Sequence, residues 1–276
     1  MPELPEVETI KEAMRKAVDG AKIEAVSINN FHLRDDIPAN FEKIVCNAYI
    51  KRIYRIAKYA LMDLDNGYSI VWHFGMSGKI RIVKEGKPTL EKHDHVILST
   101  TKGIIIYNDP RRFGMVTAIK IDKIHKHPIF SKLGLDPFDD KLTVLYLKNK
   151  FSHKNIPIKS ALLEQSIISG IGNIYASEAL FEARISPLRS SVSLKNKELE
   201  LLIKAIRFVL SKAIQAGGST LHDYRQPDGS TGYFQLQHCV YGKEGQRCPN
   251  CICKNKGIQK IVQNGRSTYY CPHLQK

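Results

Sequence analysis

The sequence predicts an α+β protein: an N-terminal antiparallel β-sandwich with a flanking helix, then a C-terminal helical domain ending in a small metal-ribbon-like segment. Three observations carry that prediction. Between residues 22 and 119, short β-branched and aromatic runs follow one another closely, as in an antiparallel sandwich or barrel. After the Gly-, Pro- and Asp-rich stretch 133–140, the hydrophobic period becomes helical. Four of the six cysteines fall in the last 29 residues. With no secretory signal, such a cluster reads as metal binding rather than as disulfides.

The elements can be justified in chain order. Val7, Ile10, Met14, Ala17 and Val18 share one helical face, and Gly20 stops that helix. Its start looks capless. The runs 68–74, 79–83, 94–100, 103–107 and 114–119 read as strands, with Asn66-Gly67 as a hairpin turn. Helical patterns follow over 141–150, 160–167, 173–184 and 195–215, and Gly217-Gly218 ends the last. Between helices, Ser169-Gly-Ile-Gly172 is a tight turn, and Asn173 is expected to cap the next helix. Backbone N–H groups in such a turn make a phosphate seat. A Gly-, Ser- and Asp-rich loop covers 219–238. The expected domains are 1–133, 141–238 and 239–276.

Charge narrows the partner. The 276 residues carry 42 Lys and Arg against 27 Asp and Glu, a net +15. Residues 1–140 are net +3 and residues 141–276 net +12, so the excess sits in the C-terminal half. This favours a polyanion, most often nucleic acid, over a merely solubilising surface. No apolar run reaches the length of a membrane span, and Glu3, Glu6 and Glu8 exclude a signal peptide. A soluble, cytoplasmic monomer is expected.

The opening Met1-Pro-Glu-Leu-Pro-Glu6 carries chemistry. Pro2 is small enough to allow removal of the initiator Met, which leaves a secondary amine. An α-amine titrates near pH 8 and is partly neutral at physiological pH. It can attack a sugar C1′ and form a Schiff base, with Glu3 and Glu6 beside it to move protons. The same residues also suit a plain Pro- and Glu-rich helix start. His93 and His95 fall on one strand face and by composition could hold a metal. Cys248-Pro-Asn-Cys251 is a good zinc knuckle.

Several motifs resemble, in order, those of the formamidopyrimidine-DNA glycosylase family. They are MPELPEVE, Lys58-Tyr59, HFGMSG at 73–78, EKHDH at 91–95, DPRRFG at 109–114, GIGNIYASE at 170–178, GGST at 217–220 and Val240-Tyr-Gly242. The resemblance covers the whole chain. It implies excision of oxidised purines from double-stranded DNA and strand cleavage at the resulting abasic site. It makes Pro2 the nucleophile, with Glu3, Lys58 and Arg266 as further catalytic residues. His93, Lys154, Lys159 and Asn173 become DNA-backbone contacts, the last within a helix–two-turn–helix element. Met76, Arg111 and Phe113 become a wedge filling the gap left by a flipped-out base.

The resemblance also implies a structural Zn2+ in a zinc-ribbon-like β-hairpin, held by Cys248, Cys251 and Cys271. Here Leu274 stands where the family has its final Cys, and the spacing from Cys251 to Cys271 is longer than usual. His273 is the expected fourth ligand and Cys253 the alternative. Two other functions share these features: an endonuclease VIII-like enzyme for oxidised pyrimidines, and a non-catalytic protein that binds damaged DNA.

Overall fold

A computed structural model describes residues 2–84, 86–219, 233–251 and 257–276. The chain forms two compact units. One comprises 1–131 with 216–235, the other 132–215 with 236–276.

The first unit opens with helix α1, Leu4–Val18. The expected capless start is corrected. The Glu3 side chain accepts from the backbone of Glu6, and the Glu3 N–H donates to Glu6 Oε2 at 2.8 Å, a reciprocal capping box. Val7, Ile10, Met14 and Val18 on one face of α1 are fully buried. Each contributes about 1.5–3 kcal/mol by leaving water.

Two four-stranded antiparallel sheets share that core. One has the order β1 (Ile23–Ile28), β6 (Asp94–Thr100), β7 (Gly103–Asn108), β5 (Lys79–Val83). The other has the order β2 (Ile50–Ile56), β3 (Tyr59–Leu64), β4 (Tyr68–His73), β8 (Met115–Lys120). A short helix α2, Phe41–Val45, follows β1. Trp72, Tyr107 and Phe41 are among the largest side chains in the core. Asn66-Gly67 lies in the turn between β3 and β4, and Gly67 has a φ of +82° that only glycine adopts without strain. In the resulting register Tyr59 stands opposite His73.

The second unit holds α3 (Val144–Phe151), α4 (Ile158–Leu163), α5 (Asn173–Glu182) and α6 (Asn196–Gln215). Thr143 caps α3 by accepting from the Tyr146 N–H. Between α4 and α5, Gln165 stitches the turn: its Nε2 donates to the carbonyls of Leu163 and Ile171, and its Oε1 accepts from the Gly170 N–H. Strands β9 (Gln259–Gln263) and β10 (Arg266–Tyr270) pair in a hairpin. Its turn residues, Asn264 and Gly265, both have positive φ, the conformation that Asn-Gly favours.

This division departs from the expected three parts at two places. Residues 239–276 are not a unit of their own. Buried Glu178 of α5 accepts the backbone N–H groups of Cys239, Val240 and Tyr241, and Phe181 packs into the ribbon's apolar cluster. Residues 216–219 and 233–235 belong to the first unit, where the Ser219 N–H donates to Glu6. The rest of the expected 219–238 loop, 220–232, lies outside the described residues. Among those described, no helix is long and apolar enough to cross a membrane.

Candidate functional site

Pro2 and Glu3 are both buried at the start of α1. The Glu6 carboxylate is fixed from two sides, by the Glu3 N–H and, at 2.8 Å, by the Ser219 N–H. Gly218 makes room for it. A Cβ there would lie 2.9 Å from Glu6 Oε1, at a φ of +79°. The next turn of α1 is tied to the sandwich, because Arg55 of β2 donates to Glu8 Oε2 at 2.8 Å and to the Ala57 carbonyl at 3.0 Å. Arg55 thereby holds the two-residue Ala57-Lys58 turn between β2 and β3, in which Ala57 has a φ of +53°. Lys58 is 7% exposed, an unusual degree of burial for an ammonium. Beside it, His73 is held neutral. Burial first, then the charges of Arg34 and Lys58, lower its pKa to about 4.

Met76, Arg111 and Phe113 come from two turns that are locked together. Asp109, fully buried, accepts from the Ser77 hydroxyl at 2.5 Å and from the Gly114 N–H at 2.8 Å. The Arg111 N–H donates to Ser77 Oγ at 3.2 Å. Gly75 lets the turns touch, since a Cβ there would meet the Phe113 carbonyl carbon at 2.4 Å. With the backbone so fixed, the side chains stay outside: Met76 is 41% and Phe113 46% exposed. The Arg111 guanidinium stands 4.8 Å from the Phe113 ring centre. His93 precedes β6 and is half-buried, whereas His95 is buried with Nε2 2.9 Å from the Asp109 carbonyl. These two histidines form no metal cluster among the described residues.

In the second unit the basic residues sort differently from the expectation. Lys159, expected on the DNA backbone, is 1% exposed. Its ammonium donates to Asn173 Oδ1 at 2.6 Å, Thr268 Oγ1 at 2.7 Å and the Ser267 carbonyl at 3.0 Å. Three good acceptors offset the cost of burying the charge, and they commit Lys159 to the protein. Asn173 is not the cap either. Gly172 takes that position, and the Asn173 amide donates to the Ser267 carbonyl and the Tyr241 hydroxyl. Lys154 pairs with Glu164 at 2.7 Å and is partly exposed. Arg266 is exposed at the first position of β10, next to the Ser267 carbonyl that Lys159 and Asn173 both hold.

Two family models match this chain. The formamidopyrimidine-DNA glycosylase N-terminal domain matches residues 1–116, and the H2TH domain of the same family matches 133–225. A formamidopyrimidine-DNA glycosylase of Rickettsia africae is 46% identical over 276 residues, covering 100% of this chain and 99% of that protein. The chain belongs to the formamidopyrimidine-DNA glycosylase family. Two solved structures are similar over its whole length. Lactococcus lactis Fpg with DNA containing an abasic site has a TM-score of 0.90 at 33% identity, covering 99% of each chain. A variant of the same protein with Fapy-dG-containing DNA has a TM-score of 0.90 at 33% identity, covering 100% of each.

The chain is thus a DNA glycosylase by family, and its α+β fold is the family's. Its ribbon departs from the sequence expectation. The Cys248, Cys251 and Cys271 sulfurs lie within 4.8 Å of one another. Thiolates sharing a zinc ion at about 2.3 Å stand roughly 3.8 Å apart, so the three thiols fit a metal ion with small adjustment. The Cys251 and Cys271 Sγ atoms are already 3.5 Å apart. His273, the expected fourth ligand, is exposed and is not among the three clustered residues. Leu274 packs against the ribbon's apolar cluster in its place. Cys253 lies outside the described residues. Asp109, Gln165 and Glu178 were not singled out in the sequence. Each is a polar residue in or beside a motif that was, and each holds backbone groups: Asp109 those of its own turn, Gln165 those of the turn that begins the 170–178 motif, and Glu178 those of 239–241.

Proposed function

We propose that this glycosylase excises oxidised purines, 8-oxoguanine and formamidopyrimidines, from duplex DNA and then cleaves the strand as an abasic-site lyase. The observation that carries this reading is the N-terminus. Pro2 directly precedes a helix whose cap, Glu3, is buried, and whose Glu6 is clamped by two backbone N–H groups. With Met1 removed, the Pro2 amine attacks C1′. The C1′–N bond to the base breaks and its electron pair leaves with the protonated base; the C1′–O4′ bond then opens, O4′ takes up a proton, and the iminium forms between C1′ and the Pro2 nitrogen. Loss of a C2′ proton then expels the 3′ phosphate, and a second elimination expels the 5′ phosphate. Glu3 and Glu6 handle protons, while Lys58 and Arg266 stabilise the charge that develops.

Met76, Arg111 and Phe113 are the wedge. Their exposure, on turns whose backbone is locked, suits side chains that enter a base stack. Unstacking costs a few kcal/mol, which apolar contact in the vacated space offsets. His93, Lys154 and the backbone N–H groups at the start of α5 face the phosphates. The ribbon thiols hold one structural Zn2+. The domain reading becomes a sandwich with the catalytic N-terminus and a helical unit that includes the ribbon.

The test is borohydride trapping with tag-free protein on a duplex containing 8-oxoguanine opposite cytosine, and on one containing an oxidised pyrimidine. A covalent adduct on the first, lost in Pro2→Gly, is expected. Trapping only on the pyrimidine duplex overturns the substrate assignment. Tight binding without any adduct overturns the enzyme reading.

A further inference from the structure

We propose that the groove between the end of α5 and the outer face of α6 docks an acidic protein segment. Apolar side chains of that segment seat on Leu201 and Phe208, and its carboxylates pair with Arg184, Lys204 and Lys212. The groove lies wholly within the second unit and is independent of which lesion is excised.

Its volume is about 500 Å³, within the range of natural binding clefts. The shape follows from the sequence. Helix α6 already buries a stripe that includes Leu202, Ile206, Val209 and Leu210. Leu201 and Phe208 lie outside that stripe, two turns apart on one face, and are 53% and 46% exposed. A helix that needed only a core side and a solvated side would carry polar residues there. Ala183 and Ala205, small and buried, leave the hollow between the two helices.

The walls are basic. Arg184 and Lys204 line the groove, and the Lys212 ammonium stands 4.5 Å from the Phe208 ring centre. Among the described residues, Glu182 is the one carboxylate on the wall, and neither Arg184 nor Lys204 forms an ion pair. Arg184 is held in place. Its N–H donates to the Phe181 carbonyl at 3.0 Å and the Ile185 N–H to the Leu180 carbonyl at 3.0 Å, so α5 ends in a Schellman motif. Arg184 takes the left-handed position of that motif at a φ of +59°, where glycine fits without strain. Its carbonyl accepts from the Lys276 N–H at 3.1 Å.

A phosphate backbone would use these cations but leave Leu201 and Phe208 in water. A stacked base would have to share the Phe208 ring with the Lys212 ammonium. Apolar anchors flanked by cations instead fit a peptide that interleaves carboxylates with large apolar side chains. The start of α5, which faces the phosphates in the reading above, is about 15 Å away along this ten-residue helix. DNA and the docked segment can therefore be held together.

The experiment pans the full chain against displayed random twelve-residue peptides and measures the selected peptides by fluorescence anisotropy. They are expected to interleave acidic with large apolar residues. Their affinity should fall about tenfold or more in Lys204→Glu and in Phe208→Ala, with thermal unfolding and borohydride trapping as in the wild type. Lys123→Glu changes an exposed cation of the first unit and should leave the affinity unchanged. An equal fall in Lys123→Glu would reduce the effect to net charge and overturn the proposal. Selected peptides insensitive to both groove variants, or no selected peptides, overturn it as well. Absent peptide binding, with duplex affinity and its salt slope lowered in Lys204→Glu, would assign the face to nucleic acid instead.

Discussion

The Glu6 carboxylate accepts a hydrogen bond at 2.8 Å from the backbone N–H of Ser219, a residue 213 positions further along the chain. Glu6 also accepts from the Glu3 N–H. One buried side chain thus joins the N-terminal turn to the segment that follows α6. Anything that moves 218–219 moves the residues beside Pro2.

Gly218→Ala tests this link. The φ of +79° costs an alanine about 1–2 kcal/mol, and its Cβ would press on Glu6 Oε1. Denaturant unfolding should show a loss of that order. Single-turnover base excision should fall by about tenfold or more, as expected when a catalytic geometry shifts by a fraction of an ångström. An alanine variant of normal rate would mean that the clamp on Glu6 does not matter to the chemistry.

Lys159→Met separates a structural lysine from a phosphate contact. Removing the ammonium takes a buried donor from Asn173 Oδ1, Thr268 Oγ1 and the Ser267 carbonyl, of which the carbonyl keeps the Asn173 amide and the hydroxyl keeps Gln263. The expected cost is about 2–4 kcal/mol of stability. The salt dependence of DNA binding should not change, because no phosphate contact is lost. A salt slope lowered by about one, with normal stability, would restore the lysine to the DNA interface.

Phe113→Ala should do the reverse. The ring is 46% exposed and its turn is held by Asp109, so stability should stay within about 0.5 kcal/mol. Excision from duplex DNA should slow, and should slow less on a lesion opposite a gap, where little stacking remains to be broken. Equal slowing on both substrates would argue against a wedge.

Acid should weaken the fold through two histidines. Burial lowers the pKa of His73 and of His238 to about 4, against an ordinary value near 6.5. Below pH 6.5 the unfolded chain takes up protons that these imidazoles refuse, so stability is complete above that pH. It declines as the pH falls toward 4, by up to about 1.4 kcal/mol per pH unit for each histidine. Urea unfolding from pH 7 to pH 4 should show this slope, reduced in His238→Gln. A slope unaltered in that variant would mean that His238 is not one of the groups responsible.

Much of the sandwich was legible because strand period, β-branching and turn residues agree locally. The runs 68–74, 79–83 and 94–100 became β4, β5 and β6 nearly residue for residue. The Asn264-Gly265 turn before Arg266 follows the same local chemistry. What stayed hidden depends on partners distant in sequence. Glu is a poor cap by type, so the reciprocal pair Glu3 and Glu6 was not visible as one. Lys159 reads as one more cation in a basic stretch, and its burial follows from a hairpin over 100 residues away. Leu274 was readable as a departure from the family pattern. Its packing against the cysteines was not, because that depends on the helical turn set by Gln275.

The return of residues 216–219 and 233–235 to the first unit has a consequence for biosynthesis. A ribosome releases the N-terminal 131 residues long before the donor at Ser219 exists. The sandwich can collapse early around α1, but the Glu6 carboxylate waits for the last fifth of the protein. Nascent or prematurely terminated chains therefore carry Pro2 without its finished surroundings. The clamp on Glu6 is completed only when translation is nearly done.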